Sequence, residues 1–197
     1  MAKQIEDIIN DVLSNIHMIE ENDFPDIDLY MDQVTTFLNN HFEHSKRYDD
    51  DKLLTKTMIN NYTKGKLLPP PEKKKYSKDH VIMLTLIYYY KNMLSINDIK
   101  TLMSSISEKY FHSDGELNLD SLYKQFTSME EEKINYLKED VVKQLDVSKN
   151  TFKSAPDEDR EYLQLLSFIS MMSYDIYAKK QIIEKLIDEL ISKKHPS

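Results

Sequence analysis

Apolar residues recur along this chain mostly at helical spacing. Ile5, Ile8, Ile9, Val12, Leu13, Ile16 and Ile19 form one stripe of 3.6-residue period, which predicts a helix over 3–20. Pro25 and the acids around it break the pattern. A second helix follows, capped by Asp26 or Asp28 and ending near Phe42. It turns Tyr30, Val34, Phe37, Leu38 and His41 or Phe42 inward, and the polar loop HSKRYDDD comes next, at 44–51.

The segment from Leu53 to Val81 is short and dense in signals. Thr55 suits an N-cap, with Met58, Ile59 and Tyr62 facing inward. Lys56, Thr57, Asn60, Asn61 and Lys64 then face outward, and Gly65 stands at the C-cap. Leu67 and Leu68 return to the core. Pro69, Pro70 and Pro71 exclude helix and favour extended backbone. The run EKKKYS is either a small β-hairpin or an extended arm. Ser77 caps a helix to about Asn92, with a stripe of Val81, Leu84, Thr85, Tyr88 and Lys91 or Asn92. Three neighbouring tyrosines, Tyr88 to Tyr90, fan round that helix, so at least one ring should point outward. Ser95 with Asp98 starts another helix to about Tyr110, Leu94 stapling to Ile99 and Ile99, Leu102, Met103 and Ile106 buried.

Residues 111–120 are turn-rich around Gly115 and mark a domain boundary. Asp120 caps a helix carrying Leu122, Phe126, Met129, Leu137, Val141 and Leu145, with Glu130 to Glu132 in its middle. Pro156 suits a first helical position, followed by three acids at the positive end of the dipole. The last helix spans 157–193, and SFISMMSYDIY within it is apolar almost all round, as in a central core helix, a dimer interface or a ligand cavity.

Composition narrows the function. The chain has 197 residues, no cysteine and two glycines. Thiolate nucleophiles and cysteine metal sites are excluded, and neither glycine lies in a phosphate-binding fingerprint. No nucleophile with a base is identifiable, so no enzyme activity and no cofactor are expected. His41 and His44 have a spacing that can share a metal, but a fraying helix end explains them as well, and no metal site is assigned. The start has no apolar signal core, and no window approaches membrane-spanning length. A cytoplasmic protein without membrane contact is the expectation.

The net charge is -8 but unevenly spread: -10 over residues 1–51, +6 over 52–80 and -4 over 81–197. A globally acidic chain binds DNA poorly without an oriented basic surface. The +6 block coincides with the capped helix at 55–64 and the run Lys73, Lys74 and Lys75. Asparagine pairs with adenine edges and lysine with guanine acceptors, while flanking lysines meet phosphates. Lys56, Thr57, Asn60, Asn61, Lys64, Lys73, Lys74 and Lys75 are therefore the candidate DNA-binding residues.

The stretch LLTKTMINNYTKGKLLPPPEKKKYSKDHVIMLTLIYYYKNMLSINDIKTLM resembles the DNA-binding region of MerR-type regulators. The resemblance rests on Tyr62, Gly65, Leu67, Leu68, Pro69, Tyr76, Leu94, Ser95, Ile96 and Ile99. The wider region, roughly 24–125 and beginning FPDIDLYMDQVTTFLNNHF, is similar to a family of Firmicutes proteins known as DUF1836. What the resemblance implies is an all-α fold: a MerR-like winged helix-turn-helix domain followed by a helical C-terminal domain. The expected domains are 1–25, an N-terminal helix; 26–112, the helix-turn-helix domain; and 118–194, a helical dimerisation or effector domain. The implied function is a homodimeric, sequence-specific regulator of transcription on double-stranded DNA, with an unknown small-molecule or protein effector. MerR-type recognition helices carry an arginine five residues before the aromatic, where this chain has Thr57. That departure and the acidic net charge support a second expectation, a helical protein-interaction module that keeps the fold without binding DNA.

Overall fold

The computed structural model describes residues 2–194. Its helices are α1 (Ala2–Asn15), α2 (Met31–His41), α3 (Lys56–Lys64), α4 (Lys78–Lys91), α5 (Ile96–Tyr110), α6 (Leu119–Thr127), α7 (Glu130–Ser148) and α8 (Asp157–Lys194). Two strands, β1 (Leu29–Tyr30) and β2 (Lys75–Tyr76), form a small antiparallel sheet. The protein is thus mostly helical with one small sheet, as expected. It divides into two compact units: residues 18–128 with those from Leu186 on, and residues up to His17 with Met129–Lys185. This partition differs from 1–25, 26–112 and 118–194. The helix at 119–127 groups with the residues before it, and α1 groups with the C-terminal half.

In the first unit α4 is the centre. Its residues from His80 to Tyr88 are buried on every side, not along the stripe its sequence suggests. The helices α2, α5 and α6 and strand β2 pack around it. Burying nine consecutive residues leaves little room for charge, and the run correspondingly holds no Asp, Glu, Lys or Arg. The tyrosine fan closes inward as well. Tyr88 is buried, stacked on Phe42 with centroids 3.7 Å apart, while Tyr89 and Tyr90 are half-buried, so none of the three points outward. Ser45 hydrogen-bonds the Tyr88 hydroxyl, and Lys91 Nζ donates to the Leu53 carbonyl at 2.6 Å, its pKa lowered by burial.

Several element ends differ from expectation, each for a local reason. The first helix stops at Asn15 rather than near 20; Ile19 is buried in the first unit, where its carbonyl accepts from the Tyr123 hydroxyl at 2.8 Å. Asp26 and Asp28 do not cap α2. Leu29 and Tyr30 are held extended by pairing with Tyr76 and Lys75, so the helix starts only at Met31, with Gln33 Oε1 accepting from the Tyr30 amide at 2.9 Å. Tyr30 is therefore 54% exposed rather than core. Gly65 does cap α3, but with φ -75°; the left-handed residue is Lys66, φ 58°. The glycine is used for space, since a Cβ there would meet the Asn61 carbonyl at 3.2 Å. α6 is capped by Asn118, not Asp120.

In the second unit, the helix expected from Asp120 to Leu145 is broken at Ser128 and Met129. Glu130, Glu131 and Glu132 are the first turn of α7, where the dipole favours them. α1 packs along α7, with Glu6 paired to Lys149 at 3.4 Å. The turn between α7 and α8 is held by Gln164 Nε2, donating to the carbonyls of Lys149 and Thr151 at 2.8 and 3.2 Å. Pro156 lies one residue before α8, and its carbonyl accepts from the amides of Asp159 and Arg160.

One polar side chain sets where α3 begins. Asn39 on α2 donates to the Leu54 carbonyl at 3.1 Å and accepts from the Leu54 amide at 3.0 Å. Leu54 is buried, so both backbone groups depend on this clamp. Asn39→Ala should cost about 1–3 kcal/mol, the penalty for unpaired buried polar groups, read as a lower urea midpoint at unchanged slope.

Candidate nucleic-acid interface

α3 is built as the sequence predicts. Thr55 caps it, Oγ1 accepting from the Met58 amide at 3.2 Å. Ile59 and Tyr62 are buried, and Met58 is half-buried. Lys56, Thr57, Asn60, Asn61 and Lys64 are all exposed. At 100° per residue these five share one side of the helix. Lys56 pairs with Asp32 in the first turn of α2. The chain then turns back after Gly65, the Leu67 and Leu68 amides donating to the Tyr62 carbonyl at 2.8 and 3.2 Å. Leu67 and Leu68 are buried, as expected.

The run EKKKYS is a hairpin reduced to its turn. Glu72 bridges Lys75, whose amide donates to the Glu72 carbonyl at 2.8 Å. Lys73 and Lys74 between them have φ 48° and 68°. Two successive positive φ values define a type I′ turn, the two-residue connection that suits a twisted hairpin and normally carries Asn-Gly. Beyond the turn the returning arm finds its partner elsewhere. β2 pairs with β1, Leu29 opposite Tyr76 and Tyr30 opposite Lys75. The Lys75 ammonium lies 5.5 Å from the Tyr30 ring centroid. Lys56 and Lys75 thus meet neighbouring residues at the start of α2, Asp32 and Tyr30. Lys73 and Lys74 stand exposed at the apex, and Lys64 is exposed at the far end of α3.

His80 is the residue whose weight the sequence understated. It is 1% exposed. Its Nδ1 accepts from the Ser77 amide at 3.0 Å and lies 2.8 Å from Ser77 Oγ. Nε2 therefore carries the proton and faces the Pro70 carbonyl at 3.4 Å. The ring stands edge-on to Tyr76 and Phe111, with centroids 5.5 and 4.7 Å away. One imidazole so joins both sides of the lysine turn to α4 and to the end of α5. The same ring caps the start of α4, at N3 of its capping box. His41 serves packing, its Nδ1 2.9 Å from the Phe37 carbonyl. Among the described residues no cluster of three or more metal-ligating side chains occurs, and no helix is long and apolar enough to cross a membrane.

The profile of a family described as "Domain of unknown function (DUF1836)" matches residues 19–126, more than half of the chain. The chain belongs to the DUF1836 family. The DUF1836 region coincides closely with the 18–128 part of the first compact unit. It contains α2 to α5, both strands and nearly all of α6, and hence every candidate residue described above. No curated protein and no solved structure matches the chain.

The His80 arrangement makes the DUF1836 region acid-sensitive. Burial lowers the imidazole pKa below its ordinary 6.5, with His112 adding to the fall and the Pro70 carbonyl, Asp79 and Asp28 opposing it. The unfolded chain then binds the proton more readily than the fold. This contribution to stability is complete above pH 6.5 and is lost as pH falls below that value. Melting temperature should decline over that interval. His80→Asn, which keeps an acceptor for the Ser77 amide, should flatten the decline.

Proposed function

We propose that this protein is a DNA-binding regulator of transcription that acts as a dimer in the cytoplasm. α3 lies in the major groove in a MerR-like winged helix-turn-helix arrangement, with Asn60, Asn61, Lys64, Lys56 and Thr57 towards base edges. Lys73, Lys74 and Lys75 lie on the adjacent phosphates as the wing. The second unit supplies the dimerisation surface and receives a small-molecule or protein effector. The observation that carries this reading is the apex of the turn. Two lysines occupy left-handed backbone positions that each cost a β-carbon residue about 1 kcal/mol or more. Asn-Gly would relieve that cost while keeping the hairpin, so the fold alone gives no reason for lysine there. Beside this turn stands a polar helix face with no role in the core. Lys56 is held by Asp32 until a base-edge acceptor displaces the carboxylate.

Lys73→Asn with Lys74→Gly separates the two roles. It should leave stability unchanged or raise it, because the turn is better served. It should also weaken DNA binding and lower the salt slope by about 2, close to one for each lost phosphate contact. A genome-fragment selection with the purified chain is the direct test. It should enrich an inverted repeat that is lost on Asn60→Ala with Lys64→Ala. No enrichment by a stable dimer would overturn the reading.

The second reading, an interaction module without DNA binding, is favoured by one observation. The second unit exposes many large apolar side chains, among them Val12, Tyr136, Val147, Tyr162 and Ile176, while Leu145 and Phe168 are buried there. Under that reading Lys73→Glu with Lys74→Glu and Lys75→Glu leaves partner binding unchanged.

A further inference from the structure

Apart from Tyr174 and Tyr177, the large exposed apolar residues of α8 between 162 and 180 lie along one line. Tyr162, Leu166, Ile169, Ser173, Ile176 and Lys180 follow one another at steps of four and three residues. This is a heptad seam, the 3.5-residue repeat of a two-stranded coiled coil. All six are exposed, Tyr162 and Ile176 each at 64%. The adjoining side of the helix is already in use. Phe168 is buried and Leu165 and Met172 are half-buried. Asp175 accepts from Gln144 of α7 at 2.6 Å. α8 therefore carries a broad apolar surface, and its own unit covers one side of it.

Charge decides what covers the other. The turn before the seam, residues 157–161, holds four acids and one arginine. From Tyr162 to Ala178 the single charged residue is Asp175, which is turned to α7. Lys179 and Lys180 follow. Lys180 has an exposed contact with Glu184 at 3.6 Å, a weak pair that a better partner can replace. Acid at one end, an uncharged apolar middle and base at the other make the surface self-complementary when reversed. Two copies laid parallel would set acid against acid. Laid antiparallel, they set each acidic turn against the other's lysines.

We infer that the exposed face of α8 pairs antiparallel with the same face of a second copy, about a two-fold axis close to Met171. In that register Tyr162 stacks on the Lys180 stem of the second copy, Leu166 meets Ile176, and Ile169 meets Ser173. The paired seam runs about 27 Å, eighteen residue steps of 1.5 Å. Such an isologous contact closes on itself and yields a dimer rather than a filament. The inference deepens the proposed dimer by naming its surface and direction.

The test is made on the full chain without DNA, so its failure leaves the DNA reading standing. A failure of DNA binding by an intact dimer would do the converse. Sedimentation should give a dimer. Ile169→Glu with Ile176→Glu should weaken self-association about 10-fold or more, because unpaired charge in an apolar seam is strongly disfavoured. Both positions are exposed, so circular dichroism should not change. The chain has no cysteine, so introduced thiols report the register without background. Equal amounts of Tyr162→Cys and Lys180→Cys chains should form a mixed disulfide, while Tyr162→Cys alone should not cross-link. A wild-type monomer, which would leave the face to an unlike partner, overturns the inference. So does a dimer that survives the double glutamate substitution, or self-cross-linking of Tyr162→Cys, which marks a parallel pair.

Discussion

A helix that is buried on every side must be surrounded, and in the DUF1836 region α4 imposes this condition on all its neighbours. From His80 to Tyr88 it offers solvent nothing. Apolar surface must therefore arrive from several directions, and α2, α5, α6 and β2 supply it. The consequence reaches the elements that do not touch α4 as closely. α3 packs against α2 and needs only Ile59 and Tyr62 for the core, which leaves its polar side to water. The lysine turn is likewise displaced to the rim, because its two flanks are committed to β1 and to His80. The polar surface is what remains once the demand of α4 has been met.

Two polar side chains, half-buried Asn39 and buried His80, convert this packing into position. Asn39 ties the backbone at Leu54 to α2, and His80 ties Pro70 and Ser77 to α4. Each works by satisfying backbone groups that would otherwise be stranded, so each tolerates little displacement. α3 and the lysine turn are thereby referred to the same core, although they are joined through a loop and three prolines. The proposed function, with one element in a groove and another on a backbone, would require such common reference.

Much of this was legible before the structure. The caps at Thr55, Ser77 and Ser95 and the inward residues of α3 follow from short-range rules that tertiary contacts did not override. So does the outward set from Lys56 to Lys64. The errors were at places where distant residues decide. Pairing of Leu29 and Tyr30 with a strand 46 residues away delays α2, and no local signal announces it. The full burial of α4 from His80 to Tyr88 was hidden because tyrosine and histidine read as amphipathic, whereas the Tyr88 hydroxyl and the His80 ring nitrogens find partners inside. The break at Ser128 was hidden because an acidic run fits the middle of an exposed helix as well as the start of one. The turn at Lys73 and Lys74 was ambiguous for the opposite reason, since its residues are not those its geometry prefers. The apolar run on α8 was visible, but only exposure in the fold shows which part of it is left uncovered.

The connection between α2 and α3 is long for paired helices, residues 42–55, yet it is anchored at both ends. Phe42 is stacked on Tyr88, and Leu54 is gripped by Asn39. Between these points Arg47 to Lys52 are exposed and contribute nothing to the core. The entropic cost of closing a loop rises only slowly with its length. The separation of the two helices along the chain is therefore independent of their separation in space. Insertions or deletions there would change the outline of the molecule beside α3 without shifting α3 itself. Changes in chain length within this loop would therefore cost the fold little.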